Sequence, residues 1–246
     1  MFSSLKNHPF PVEAFFENSL VLTYAIPKDE LKDFIPECLS LDTFDDKWAF
    51  LAVAVVKTKN LRPKGFPEFM GNDFILIGYR IFVKYVTSKG KRLRGLYILK
   101  SETDKSKMAL MGNIFTHYNY SKTDIKIETA KSEMKIKSAT SDLNLWVNID
   151  ERASLPDHSP FKDWKEARRF AGPLPHTFTY DPAKKQVLII EGLRENWQPL
   201  PVEVKEEYAG FIKKMNFKEC VLANAFLVSN IPYEWAKGKT DQWIQQ

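Results

Sequence analysis

Residues 112–122, GNIFTHYNYSK, bring His117, Tyr118, Asn119, Tyr120 and Lys122 within one strand's length. In an extended chain Ile114, Thr116, Tyr118, Tyr120 and Lys122 share one face, and Phe115, His117, Asn119 and Ser121 the other. Buried hydroxyl, amide and imidazole groups need partners, which water or a ligand in a cavity can supply. Tyr120 would donate a hydrogen bond. His117, whose ordinary pKa lies near neutrality, would act as an acid or base; the simpler reading is a histidine bonded to backbone. Because neighbours alternate, a regular strand lets either the tyrosines or His117 face a cavity, and the expectation is the tyrosines.

Arg80 is the best single anchor. In FILIGYRIFVKYV (74–86), Ile75, Ile77, Tyr79, Ile81, Val83 and Tyr85 form one apolar face, while Phe74, Leu76, Gly78, Arg80, Phe82 and Lys84 form the other. An arginine among such neighbours must be paired. A carboxylate ligand would suit its fork, and a protein acid such as Glu102 or Glu191 is the equal alternative. Lys100 follows GLYIL at a strand end, where a solvated ammonium competes with a ligand contact. The candidate catalytic residues are therefore Tyr120 and His117, and the candidate ligand contacts Arg80, Tyr118, Asn119, Lys122 and Lys100. The pocket is expected where segments 74–86 and 112–122 approach one another.

Other chemistries lack a signature. His158 and His176 sit near prolines, with Asp157 close by, but no HxH, HExxH or paired-cysteine spacing accompanies them, and no metal is expected. No G-x-S-x-G marks a serine nucleophile. No G-x-G-x-x-G or Walker sequence marks a nucleotide cofactor, so no cofactor is expected. Trp146, Trp164, Trp197 and Trp235 read as core or pocket wall.

The elements that would position these residues have period two. KWAFLAVAVVKT (47–58) is a second strand, and further strands are expected at NSLVLTYAI, RGLYILKS, IKIET, SEMKIKSA, LNLWVNI, HTFTYD, KQVLIIEG and CVLANAFLVS. Helices are expected at PKDELKDFI, DKSKMALMG, SPFKDWKEARRFAG and PVEVKEEYAGFIKKM. In DIKIETAKSEMKIKSAT, lysines and glutamates alternate with Ile127, Met134 and Ile136, a scaffold hairpin with one wet face. Strands dominate and long βαβ crossovers are missing, which points to a mainly β, antiparallel barrel or sandwich with peripheral helices.

The 246 residues, 44% hydrophobic, suffice for one large core, and a single domain over 1–246 is expected. No apolar run reaches membrane length, and MFSSLKNHPFPVEAFF does not read as a secretory signal. Cys38 and Cys220 read as reduced core thiols of a cytoplasmic protein. The net charge of +5 concentrates in KYVTSKGKRLRGLYILK (84–100), a solvated hairpin tip rather than a groove reader. Neither nucleic acid nor membrane is expected as a partner. The oligomeric state stays open, a homodimer included.

The run LTYAIPKDELKDFIPECLSLDTFDDKWAFLAVAVV, then DFILIGYRIFV, then KSKMALMGNIFTHYNY, resembles an uncharacterised bacterial branch of the acetoacetate decarboxylase-like superfamily. FKDWKEARRFAG, ENWQPLPVEV and FLVSNIPYEWAKG resemble it more loosely. The resemblance implies a cone-like antiparallel β-barrel around a ligand cavity. In acetoacetate decarboxylase itself, a lysine in a G-R-E-x-x-G-x-P-K-K segment forms a Schiff base, helped by a neighbouring lysine that lowers its pKa. Laid on this chain, the glycine falls on Gly112, the arginine on Asn113, the glutamate on Ile114, the proline on Asn119, and the lysines on Tyr120 and Ser121. The resemblance thus implies that the usual Schiff base is lost, with Tyr120 standing where the amine stood and Lys122 as a displaced amine at best. The expected function is binding of a small anionic or carbonyl-bearing molecule. The alternative is a lyase- or hydrolase-type enzyme on a keto or carboxylic acid using Tyr, His and Arg chemistry; nucleic-acid binding through the basic hairpin is a remote third.

Overall fold

The computed structural model describes residues 5–149, 153–170 and 174–244. Its strands are β1 (Val12–Pro27), β2 (Ser40–Leu41), β3 (Trp48–Pro63), β4 (Asn72–Val86), β5 (Arg92–Thr103), β6 (Tyr120–Lys122), β7 (Lys126–Ala130) and β8 (Glu133–Ser138). They continue with β9 (Leu143–Asn148), β10 (His176–Asp181), β11 (Gln186–Arg194), β12 (Leu200–Pro201), β13 (Glu203–Ala209), β14 (Val221–Trp235) and β15 (Lys239–Gln242). The α-helices are α1 (Lys28–Leu31), α2 (Ser106–Phe115), α3 (Trp164–Phe170) and α4 (Gly210–Lys213). None is long and apolar enough to cross a membrane.

The main sheet runs β12-β14-β1-β3-β4-β5-β10-β11-β15, with β2 on β4 and β6 on β5. It curls back on itself, because β11 pairs a second time with β14 through Gly192↔Trp235 and Arg194↔Tyr233. The pairings are antiparallel except β5 with β10 and β5 with β6. A second sheet, β13-β9-β8-β7, contains the amphipathic hairpin.

Strand alternation sorts the side chains into two layers. Leu51, Val53, Val55, Ile77, Tyr79 and Ile81 pack with Met134, Ile136, Leu145 and Val147 of the second sheet in the largest core. The opposite face of the main sheet carries two smaller clusters, one around Phe50, Phe82 and Phe161 and one around Phe16, Val56 and Phe226. Cys38 and Cys220 are free thiols, and burial pushes them up to about 12 and about 11.

Two local expectations are corrected. Residues 112–122 are not one strand: α2 continues through Gly112 to Phe115, and only Tyr120–Lys122 is extended. The apolar residues Met108, Met111 and Phe115 recur at helical spacing, and this period overrides the glycine stop. Asn119, at φ 52, then reverses the chain. The second correction concerns 201–215, where β13 pairs with β9 before α4 begins at Gly210. Pairing outweighs the helix propensity of VKEE, and the Tyr24 hydroxyl donates to Glu207 at 2.5 Å across the layers. The helix expected from SPFKDWKEARRFAG is present at Trp164–Phe170; its last two residues lie outside the described ones.

Candidate functional site

Between the two smaller clusters lies a cavity of about 350 Å³. It opens because Ala52, Ala54 and Gly78 stand side by side on adjacent strands, with Ala52 opposite Arg80 and Ala54 opposite Gly78. Large residues there would fill it. Arg80 folds back over Gly78, where a Cβ would lie 2.8 Å from its Nε.

Arg80 has no carboxylate partner among the described residues, and its Nε is buried without a hydrogen bond. The groups whose charge or dipole acts on it are Tyr233, Tyr120, Tyr118 and Arg194. Burial pushes its pKa down, but a guanidinium starts so high that it stays charged. Glu102, one alternative partner, instead accepts from Lys100 at 2.6 Å. An unmatched guanidinium in such a place costs several kcal/mol, on the order of an ion separated from its buried partner.

Tyr118 and Tyr120 share the cavity wall with Arg80. The Tyr118 hydroxyl bonds Thr177 Oγ1 at 2.7 Å. Burial pushes Tyr118 up, and pushes Tyr120 up to about 12 against the opposing pull of Arg80. Both are therefore neutral donors at physiological pH. Asn113 holds Tyr120 in place: its Oδ1 accepts from the Tyr120 N–H at 2.8 Å, and its Nδ2 donates to the Tyr120 carbonyl at 2.9 Å. The Tyr120 ring lies so close to Gly112 that any Cβ there would overlap it. That contact explains a glycine inside a helix, which is otherwise unfavourable by about 1 kcal/mol.

The remaining candidates do not line the cavity. His117 sits half-buried in the turn after α2, its pKa lowered first by burial and then by Lys6. Asn119 is exposed and donates to the Leu99 carbonyl at 3.3 Å. Lys122 is exposed at the end of β6. Lys100 lies 5.5 Å over the Phe211 ring, on the side of the largest core. His176 Nδ1 contacts the Arg94 carbonyl at 3.0 Å, and no metal-binding cluster occurs among the described residues.

Sequence reasoning missed Arg194. It stands where the sheet closes, directly opposite Tyr233, and donates to the Tyr233 hydroxyl at 3.3 Å. Its guanidinium lies 4.6 Å over Trp197 and 5.8 Å over Tyr233. No carboxylate pairs with it among the described residues. The signal was present: GYR at 78–80 and GLR at 192–194 both set an arginine two residues after a glycine, on one face of an apolar strand. Among the described residues, the cavity wall holds Arg62, Arg80 and Arg194 but no Lys, Asp or Glu. Arg62 is neutralised by Glu13 at 2.9 Å. The other two have no such partner among the described residues. This arrangement suits an anion and offers no amine nucleophile.

A family profile described as DUF2071, an uncharacterized conserved protein, matches residues 13–231. No curated protein matches the chain. Among solved structures, acetoacetate decarboxylase from Legionella pneumophila subsp. pneumophila str. Philadelphia 1 is 11% identical at TM-score 0.61, covering 94% of this chain and 87% of that one. An acetoacetate decarboxylase-like enzyme from Sphingomonas wittichii RW1 is 10% identical at TM-score 0.60, covering 98% and 96%. The enduracididine biosynthesis enzyme MppR complexed with pyruvate is 10% identical at TM-score 0.56, covering 94% and 90%. The fold is mainly β and acetoacetate decarboxylase-like.

Proposed function

We propose, for a chain that belongs to the DUF2071 family, that its cavity binds a small carboxylate or carbonyl compound without forming a Schiff base. The observation that carries this reading is Arg80, whose guanidinium stands in the cavity wall with its Nε buried and unbonded and with no carboxylate partner among the described residues. A ligand carboxylate would take its fork in two parallel hydrogen bonds. Tyr120 would donate to a second oxygen of the ligand, and Tyr118, already bonded to Thr177, would orient it. Among the described residues no lysine stands in the wall to attack a carbonyl, and the sequence resemblance puts Tyr120 and Ser121 where the decarboxylase lysines stand.

Turnover of a keto or carboxylic acid is the second reading. It is favoured by neutral tyrosine hydroxyls beside Arg80 and by the enzymes that share the fold, one of them complexed with pyruvate. His117, outside the wall, would have to act through water. Nucleic-acid binding is disfavoured because Lys84 and Arg94 of the basic hairpin both reach Asp42, at 3.6 and 2.5 Å. Native mass spectrometry of the purified chain, followed by incubation with the recovered ligand, separates binding from turnover. Recovery of an unchanged carboxylate supports the first reading and conversion supports the second. Borohydride trapping with keto acids should label no lysine; labelling of Lys122 contradicts the loss of Schiff-base chemistry.

A further inference from the structure

Two guanidiniums face one cavity. Arg80 and Arg194 both neighbour Tyr233, and each raises the electrostatic cost of the other. A single anionic head group between them relieves both, as no protein acid does among the described residues. Beside them the Trp197 Nε1 is buried without a partner, one more donor available to a ligand oxygen.

Hydroxyl groups such as those of Tyr118, Tyr120 and Thr177 interrupt the rest of the wall, but most of it is apolar. Phe16 and Tyr233 stack with ring centroids 4.6 Å apart, and Trp235 lies tilted against Tyr233 at 4.5 Å and edge-on to Phe16 at 5.7 Å. Trp197 meets Phe226 edge-on at 6.3 Å. A volume of about 350 Å³ lies in the range of drug-sized ligand sites, roughly 300–1,000 Å³. A three-carbon acid would leave most of this surface uncovered.

We infer that the ligand is an amphiphilic carboxylate, its head held between Arg80 and Arg194 and its acyl or aryl body laid along Phe16, Trp197, Phe226 and Trp235. The inference rests on the carboxylate-binding reading above and assigns Arg194 as a second anchor. It separates this cavity from sites shaped for pyruvate-sized acids.

The test titrates the full chain calorimetrically with butanoate, decanoate, 2-naphthoate and decan-1-ol. Two buried methylenes raise affinity about tenfold, so the six that distinguish decanoate from butanoate give on the order of a thousandfold when all are buried. We expect decanoate or 2-naphthoate to bind at least about a hundredfold tighter than butanoate, with decan-1-ol about tenfold or more weaker than decanoate. Arg194→Gln should weaken decanoate about tenfold and leave decan-1-ol unchanged. If neither apolar acid exceeds butanoate, or Arg194→Gln does not weaken decanoate, the inference is overturned and the carboxylate reading stands. If no carboxylate binds, both fall. The chain-length comparison uses the unaltered protein and does not depend on a variant folding.

Discussion

The guanidinium of Arg80 lies across Gly78, with Nε 2.8 Å from the place a Cβ of residue 78 would occupy. Only the missing side chain lets the arginine fold along its own strand and present its fork to the cavity. Among the described residues no carboxylate holds the cation there, so the site stores a cost that a ligand relieves. Arg80→Met should therefore stabilise the ligand-free protein by about 1–4 kcal/mol while abolishing carboxylate binding. Thermal unfolding of both proteins, with and without ligand, checks this. A less stable Arg80→Met protein would show that Arg80 is satisfied in the folded chain.

Tyr120→Phe removes a hydroxyl and keeps the ring that packs on Gly112 and the backbone bonds to Asn113. The fold should be unchanged, and affinity for a carboxylate should fall by about 0.5–1.5 kcal/mol, the net worth of one hydrogen bond. Calorimetry on the two proteins measures it; equal affinity would remove Tyr120 from the site.

The tyrosines also predict an alkaline limit. Burial raises Tyr118 and raises Tyr120 from 10.0 to about 12. Between those values the folded chain keeps protons that the unfolded chain releases, so stability falls as pH rises. The contribution is complete below about pH 10 and is lost on approaching about pH 12. Urea denaturation at about pH 9 and about pH 11 should show the loss, and Tyr118→Phe/Tyr120→Phe should show less of it. An identical loss in the double variant would assign the effect to other tyrosines.

Lys100 reaches Glu102, whose side chain is 3% exposed, on the side of the sheet away from the cavity. Lys100→Met should destabilise the fold by about 3 kcal/mol by leaving a buried carboxylate uncompensated. Carboxylate affinity should not change. A large loss of affinity at unchanged stability would return Lys100 to the ligand site.

Much of the sheet was legible because burial on one face writes itself as period two. Tyr79 and Arg80 fall on opposite faces as the alternation requires. Arg80 was legible for the same reason, as a cation on an otherwise apolar face. Residues 112–122 misled because a polar helix end, a turn and a three-residue strand have no single period, so one extended reading absorbed all three. Arg194 was hidden by its strand, which reads as ending at Gly192. Only the second pairing of β11 with β14 carries the pattern onward and sets Arg194 against Tyr233. Its local trace is the glycine-to-arginine spacing shared by 78–80 and 192–194, which takes on meaning only through this long-range closure. The β13 segment failed differently, through a pairing partner that overrides helix propensity.

The central claim is that Arg80 anchors an anion, and a crystal structure of the chain grown with decanoate tests it most directly. The prediction is a carboxylate with both oxygens about 2.7–2.9 Å from the Arg80 guanidinium, within reach of the Tyr120 hydroxyl. A ligand bound elsewhere, or Arg80 turned away to pair with a protein carboxylate, would contradict it.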